Sequence, residues 1–78
     1  MKKNIETGVR KIFNNILPET KKHFELKRAQ SEYRDWDSFA QMQIATEIER
    51  VFSVQLSIKE IISADSAARF IALIEKKT

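Results

Sequence analysis

Hydrophobic residues recur at helical spacing from the start of the chain, after Asn4, a residue type that commonly caps helices. Every three or four positions from there the side chain is apolar: Ile5, Val9, Ile12, Phe13, Ile16 and Leu17. This spacing predicts one apolar face on a first helix. Gly8 weakens such a helix by about 1 kcal/mol relative to alanine, and Pro18 ends it.

The next segment, PETKKHFELKRAQSEYRDWD at residues 18–37, has no sustained apolar period. Four apolar residues are spaced widely along it in a charged background: Phe24, Leu26, Tyr33 and Trp36. We expect a long ordered loop that these residues attach to the core, with a short helical turn around residues 22–30. Loops of this length are uncommon in compact domains and are often functional.

Helical periodicity returns at Asp37 or Ser38 and predicts a second helix. Its predicted apolar stripe is Phe39, Met42, Ala45, Ile48 and Phe52, broadened by Ile44 and Val51. Glu47 and Arg50 lie on the opposite side, and Glu49 lies near the edge of the stripe.

Two further helices follow. The sequence SIKEI forms a capping box, with Ser57 as the cap and Glu60 three residues later, and opens a short third helix. Ser63 is the predicted cap of the last helix, whose apolar face is Ala64, Ala67, Ala68, Ile71 and Ile74, widened by Phe70 and Leu73. We therefore expect one all-α domain over residues 1–78: a four-helix bundle with a long loop between helices 1 and 2 and a short helix 3.

Composition limits the chemistry of this chain. With 78 residues it is one small domain, and a single glycine and a single proline argue against an all-β fold. The absence of cysteine excludes disulfides, cysteine nucleophiles and thiolate metal sites, and the lone His23 cannot build a histidine metal site. No segment resembles a signal peptide or a membrane span, so we expect a cytoplasmic protein.

Charge is distributed unevenly along the chain. Residues 1–34 contain nine Lys and Arg against four Glu, whereas residues 35–78 contain five against seven acidic residues. The overall charge of +3 therefore conceals a mildly acidic second half.

Ser38, at the predicted start of the second helix, has more than one possible role. Local chemistry favours a cap: Ser38 and Gln41 are spaced as a capping box, and Asp37 could be the cap instead. A nucleophilic serine needs a nearby base, and the only candidate for that base is His23. As the substrate of another enzyme, however, Ser38 needs no base. A helix N-terminus suits a phosphodiester, and the adjacent Phe39 suits docking of a partner.

The run DSFAQMQIATEIERVFSVQLSIKEI resembles the second-helix signature of acyl carrier proteins. Ser38 matches the serine that receives a 4′-phosphopantetheine arm in that family, Asp37 the preceding aspartate, and Phe39 the leucine that follows. The spacing of fourteen positions from Ser38 to Phe52 and the closing SADSAARFIALIE also fit. The resemblance extends over residues 33–75 and, in kind, to the first helix. Trp36 before Asp-Ser is similar to specialised bacterial carriers rather than to the fatty-acid carrier.

The resemblance implies a carrier protein, not an enzyme. A phosphopantetheinyl transferase with Mg²⁺ would move the arm from coenzyme A to Ser38, and the arm's thiol would hold an acyl or aminoacyl group as a thioester. A loading enzyme and downstream transferases or synthases of lipid or secondary-metabolite biosynthesis would be the partners. The residues implied in partner recognition are Asp37, Phe39, Met42, Glu47 and Glu49. We expect a monomer that binds no metal, nucleic acid or membrane.

Fatty-acid carriers are strongly acidic along the second helix, whereas this chain has Ala40, Gln43 and Arg50 at such positions. We therefore expect a dedicated carrier that serves its own pathway.

Two other functions remain as alternatives. The basic first half is compatible with a nucleic-acid-binding helical domain, although Glu47 and Glu49 on the second helix would repel phosphates. A helical protein–protein interaction module would need Phe39, Met42 or Trp36 exposed, whereas their spacing is typical of a core.

Overall fold

A computed structural model describes the backbone of residues 2–78 and the side chains from residue 4 onward, and its regular structure is entirely helical over that range. Four α-helices follow in chain order: α1 (Lys2–Ile16), α2 (Ser38–Phe52), α3 (Ile58–Ser63) and α4 (Ala67–Lys77). α1 packs against both α2 and α4, and α3 packs against α2. The predicted all-α chain with four helices is confirmed.

The core lies where α1, α2 and α4 meet. The apolar period of α1 buries Val9, Phe13 and Leu17 completely, as predicted. Phe13 is in edge-to-face contact with the rings of Phe24, Trp36 and Phe70, with centroid distances of 5.9, 5.2 and 6.3 Å. Aromatic pairs favour this geometry, so Phe13 connects α1 to the loop and to α4.

Two predicted helix starts are wrong. α1 begins at Lys2, so Asn4 lies inside the helix and does not cap it. Ser63 is the last residue of α3, because the Ala64 amide still donates to the carbonyls of Glu60 and Ile61. Ser66 caps α4 instead, and its hydroxyl accepts from the Arg69 amide at 3.2 Å.

The long loop is ordered and attached to the core as predicted, but its local turns differ. Two short 3₁₀ turns lie at Pro18–Lys21 and Gln30–Glu32, and the turn expected around residues 22–30 does not form as a helix. Tyr33 and Trp36 are buried, and Phe24 and Leu26 are partly buried. The Gln30 amide donates to the Asp65 carbonyl at 2.7 Å, and the Ala68 amide donates to the Leu26 carbonyl at 2.8 Å. These two bonds attach the loop to the start of α4 and the residues just before it.

The buried face of α2 is rotated relative to the prediction. Phe39 and Met42, expected in the core, are 72% and 52% exposed. The inward residues are Ala40, Gln41, Ile44, Ala45 and Ile48. The physical reason is Trp36, which fills the core beside the first turn of α2 and contacts Gln41.

The connection from α2 to α3 is short and closely bonded. Ser53 ends α2 in the left-handed region (φ 54°), and Glu49 accepts from the Leu56 amide at 2.9 Å. The predicted capping box of α3 is confirmed, with bonds of 3.1 and 2.8 Å between Ser57 and Glu60. The Ser57 backbone amide, together with Lys77, holds the pKa of Glu60 below its usual range.

Gly8 leaves room for the ring of Phe52 where α1 packs on α2. A Cβ atom at this position would lie 2.7 Å from Cζ of Phe52, whose partly buried ring covers the glycine. Glycine lowers the helix propensity at this position, but it also allows the close contact between α1 and α2.

We expect Gly8→Ala to stabilise the protein little or not at all, although an alanine in a helix interior normally gains about 1 kcal/mol over glycine. In a Phe52→Ala background the same change should recover that gain of about 1 kcal/mol. Urea unfolding of the four proteins in this double-mutant cycle measures the difference. Equal stabilisation by Gly8→Ala in both backgrounds would contradict the contact.

Candidate functional site

The N-terminus of α2 carries a helix cap and an exposed serine hydroxyl side by side. Asp37 is the cap, and its carboxylate accepts from the Ala40 amide at 2.9 Å. Ser38 is the first residue of α2 and is exposed, and no bond to its Oγ is found among the described residues. Of the two capping candidates, Asp37 holds the role, which leaves the Ser38 hydroxyl available.

Gln41 does not form the predicted capping box with Ser38. Its side chain is buried, with 8% exposure, and points into the molecule. The side-chain oxygen accepts from the indole N–H of Trp36, and the side-chain nitrogen donates to the carbonyls of Ile61 and of Ala64, the latter at 2.8 Å. Sequence reasoning named Gln41 as a capping residue and missed its buried role. The signal that could have found it is its spacing of three and four residues from Ile44 and Ala45.

Trp36 holds the chain on the other side of Ser38. The indole is 4% exposed, meets Phe13 and Tyr33 edge to face at 5.2 Å each, and stacks on Phe70 at 6.5 Å. Its carbonyl accepts from the Gln30 side chain at 3.0 Å. Ser38 therefore lies between two buried residues, Trp36 and Gln41, that are bonded to each other.

The acidic residues implied in recognition each have a bonding partner within the chain. Glu47 pairs with Arg50 at 2.7 Å, and the hydrogen bond from Arg50 lowers the pKa of Glu47. Glu49 accepts from the Leu56 amide, and Asp37 caps α2. All three carboxylates therefore take part in bonds within the chain, and the sequence did not indicate those of Glu47 and Glu49.

An open groove of about 520 Å³ runs between α1 and α2 beside this site. Phe39, Met42 and Glu47 line it on the α2 side, and Ile12 and Ile16 line it on the α1 side. Three of the residues implied in recognition are thus brought together in one groove, while Asp37 and Glu49 are not among its lining residues.

One position expected at the recognition surface lies elsewhere. Ala40 is only 5% exposed, so the neutral residue found there belongs to the core and not to a surface that has lost an acid. His23, the only histidine, lies in the exposed part of the loop, 3.4 Å from Glu25.

Over the described residues, no helix has both the length and the apolar character needed to cross a membrane. The same part of the chain contains no group of three or more His, Asp or Glu side chains arranged to hold a metal ion.

No protein-family model, no curated protein and no solved structure matches this chain. The class of site is defined by its geometry alone: an exposed serine hydroxyl at the start of a helix, with buried anchors on both sides and a groove of mixed apolar and polar lining beside it.

We expect Asp37→Ala to destabilise the protein by about 1 kcal/mol, because it removes the side chain that caps α2. Ser38→Ala should change the free energy of unfolding by no more than about 0.5 kcal/mol, as is usual for exposed positions without bonded partners. Chemical denaturation of both variants tests this. If Ser38→Ala proves as costly as Asp37→Ala, then the serine takes part in the cap.

Proposed function

We propose that this chain is a carrier protein and that Ser38 is the attachment site of a 4′-phosphopantetheine arm. The observation that supports this most strongly is that the Ser38 hydroxyl is exposed and has no capping role at the N-terminus of α2. A serine that another enzyme must modify has to be reachable, and it has to be dispensable for the helix that presents it. Ser38 meets both conditions because Asp37 bonds the Ala40 amide.

The surroundings of Ser38 also suit a phosphodiester. The first backbone amides of a helix have no intrahelical partner, and the helix dipole favours negative charge at that end. In the transfer, Ser38 Oγ would lose its proton and bond to phosphorus, the pyrophosphate of coenzyme A would break, and 3′,5′-ADP would leave. When attached, the arm supplies a thiol that carries an acyl or aminoacyl group as a thioester. The chain itself has no cysteine to compete with that thiol.

The order of the helices supports the same proposal. A long loop after α1, a serine at the start of α2, a short α3 and a closing α4 resemble the arrangement of acyl carrier proteins. Such a protein would be a substrate for partner enzymes and not a catalyst. The proposed setting is a cytoplasmic pathway of lipid or secondary-metabolite synthesis.

Recognition by partners would depend mainly on apolar contact. Phe39 and Met42 are exposed next to Ser38, whereas Glu47 and Glu49 are bonded within the chain. Charged pairs at a rim mostly affect encounter rate and selectivity, while buried aromatic anchors contribute most of the affinity. A dedicated partner with an apolar pocket for Phe39 therefore fits this surface better than the strongly basic surface expected for fatty-acid enzymes.

A helical interaction module is the second candidate. Phe39, Met42, Ile58 and Ile62 are all more than half exposed, and exposed apolar side chains can contribute to a surface that binds a partner. Nucleic-acid binding has less support, because Arg50 on α2 is paired with Glu47. An interaction module would take no arm from coenzyme A, so the first experiment below separates these candidates.

Incubation with coenzyme A, Mg²⁺ and a broad-specificity phosphopantetheinyl transferase should add one phosphopantetheinyl group to the wild type and none to Ser38→Ala. Intact-mass spectrometry and peptide mapping read the outcome. Ser31→Ala is the matched control, since Ser31 is an exposed loop serine, and it should be modified like the wild type. Attachment at another serine, or no attachment to the wild type, would refute the proposed site.

Phe39→Ala should slow modification by about tenfold, the loss typical of truncating an apolar anchor. Glu47→Gln should slow it by less than about fivefold, as expected for an exposed ion pair. Both variants should stay folded, because Phe39 is 72% exposed and the Glu47–Arg50 pair lies at the surface. Initial rates at low and high ionic strength complete the test. A steep fall with salt, together with a wild-type rate for Phe39→Ala, would indicate electrostatic recognition instead.

A further inference from the structure

We propose that Gln41 is the positioning residue of the Ser38 site. Gln41 lies in the first turn of α2, and its buried amide is bonded to the loop before α2 and to the end of α3. In this proposal, these bonds set the direction of the Ser38 hydroxyl. The inference rests on the proposed function of Ser38, and it assigns that site a dependence on α3.

The chemistry at this position requires a side-chain amide of glutamine length. The Trp36 indole can only donate, and the carbonyls of Ile61 and Ala64 can only accept. One amide satisfies all three, with its oxygen towards Trp36 and its NH₂ towards the carbonyls. An ionised glutamate accepts but cannot donate, methionine cannot donate at all, and asparagine is one methylene shorter.

The two carbonyls need this partner because they lie at the C-terminal end of α3. α3 has six residues, and the last carbonyls of any helix have no intrahelical amide to accept from. The Ile61 carbonyl receives a 3.3 Å bond from the Ala64 amide, and the Gln41 side chain supplies further bonds to it and to the Ala64 carbonyl. The first turn of α2 therefore completes the last turn of α3.

The same residue restrains Ser38 from both directions. Trp36 lies two residues before Ser38 and Gln41 three residues after it, and their side chains are bonded to each other. Beyond Trp36, the Gln30 side chain holds the Trp36 carbonyl at 3.0 Å, and the Gln30 amide donates to the Asp65 carbonyl at 2.7 Å. The cap Asp37 and the first helical residue Ser38 form the short segment between these anchors, so we expect loss of the Gln41 bonds to let that segment shift.

A displacement of this kind should appear in the reaction rate. A misplacement of about 1 Å at a reacting group can reduce a rate by about a hundredfold. The variant that isolates the hydrogen bonds is Gln41→Glu, because it keeps the shape of the side chain. Its protonated form can still accept from Trp36 and donate to one carbonyl, whereas its ionised form faces carbonyl oxygens with a negative charge. Burial and those oxygens raise the pKa of such a carboxyl, so the neutral form returns as the pH falls.

The experiment measures arm transfer from coenzyme A to the full chain between about pH 8 and about pH 5.5, a range that covers a carboxyl pKa raised by burial. Each rate is divided by the wild-type rate at the same pH, which removes the transferase's own pH profile. Gln55→Glu is the matched control: it makes the same charge change at an exposed position between α2 and α3. Emission from Trp36, the only tryptophan, reports on the hydrogen bond independently of the reaction.

We expect Gln41→Glu to be modified about tenfold to a hundredfold more slowly than wild type at the upper pH, with a red-shifted Trp36 emission. Both effects should diminish towards the lower pH, and Gln55→Glu should follow the wild type throughout. A wild-type rate for Gln41→Glu across the range, or a loss that does not change with pH, would overturn the inference while leaving Ser38 as the site. A wild type that takes no arm would overturn the proposed function, and the role of Gln41 with it.

A second variant covers the case in which Gln41→Glu does not fold at the upper pH. Trp36→Phe keeps an aromatic ring in the core and removes the indole N–H that Gln41 accepts. Folding is checked by circular dichroism, since this variant has no tryptophan to report on it. We expect a severalfold slower arm transfer from the folded variant, and an unchanged rate would overturn the inference.

Discussion

Three hydrogen bonds of the Gln41 side chain join segments that local sequence gives no reason to bring together: the loop before α2, the start of α2 and the end of α3. A buried polar group that loses its partner costs about 1–3 kcal/mol, and small domains have only about 5–15 kcal/mol of stability in total. A 78-residue chain is therefore sensitive to this one side chain. The same bonds connect the residues on either side of the exposed Ser38 to the core.

The aromatic cluster explains how a loop of about twenty residues can be ordered. Trp36 contacts Phe13 of α1 and Phe70 of α4, so the end of the loop is part of the core rather than a covering over it. Tyr33 packs on Trp36, and the guanidinium carbon of Arg28 lies 4.3 Å from the centre of the Tyr33 ring. Burial raises the pKa of Tyr33. The chain that leads into the exposed Ser38 is thus attached to the core by Trp36.

Local patterns predicted the parts of the fold that local physics decides. The apolar period of α1, its end before Pro18 and the Ser57–Glu60 box depend on neighbours within four residues. The buried face of α2, in contrast, depends on a residue outside the helix. Phe39 and Met42 have the spacing of a core stripe, but Trp36 enters from outside the helix and decides which side faces inward. Similarly, Ser63 and Ser66 are both reasonable caps, and the bonds of the Ala64 amide choose between them.

In the candidate site, too, some features follow from local sequence and others from contacts in the folded chain. A helix start at Ser38 could be predicted from sequence, whereas the capping role of Asp37 and the internal bonds of Glu47 and Glu49 depend on side-chain geometry. Acidic residues that look free in the sequence are therefore partly committed in the structure. The exposed apolar pair Phe39 and Met42 therefore has a larger part in the proposed recognition than the acidic residues have.

The most direct test of the carrier account is a thiol count on the protein purified from the cells that naturally make it. The chain contains no cysteine, so any thiol must belong to an attached group. After hydroxylamine treatment to release thioesters, we expect close to one titratable thiol per modified chain, carried by the peptide that contains Ser38. Protein with no thiol, and with the mass of the bare chain, would contradict it.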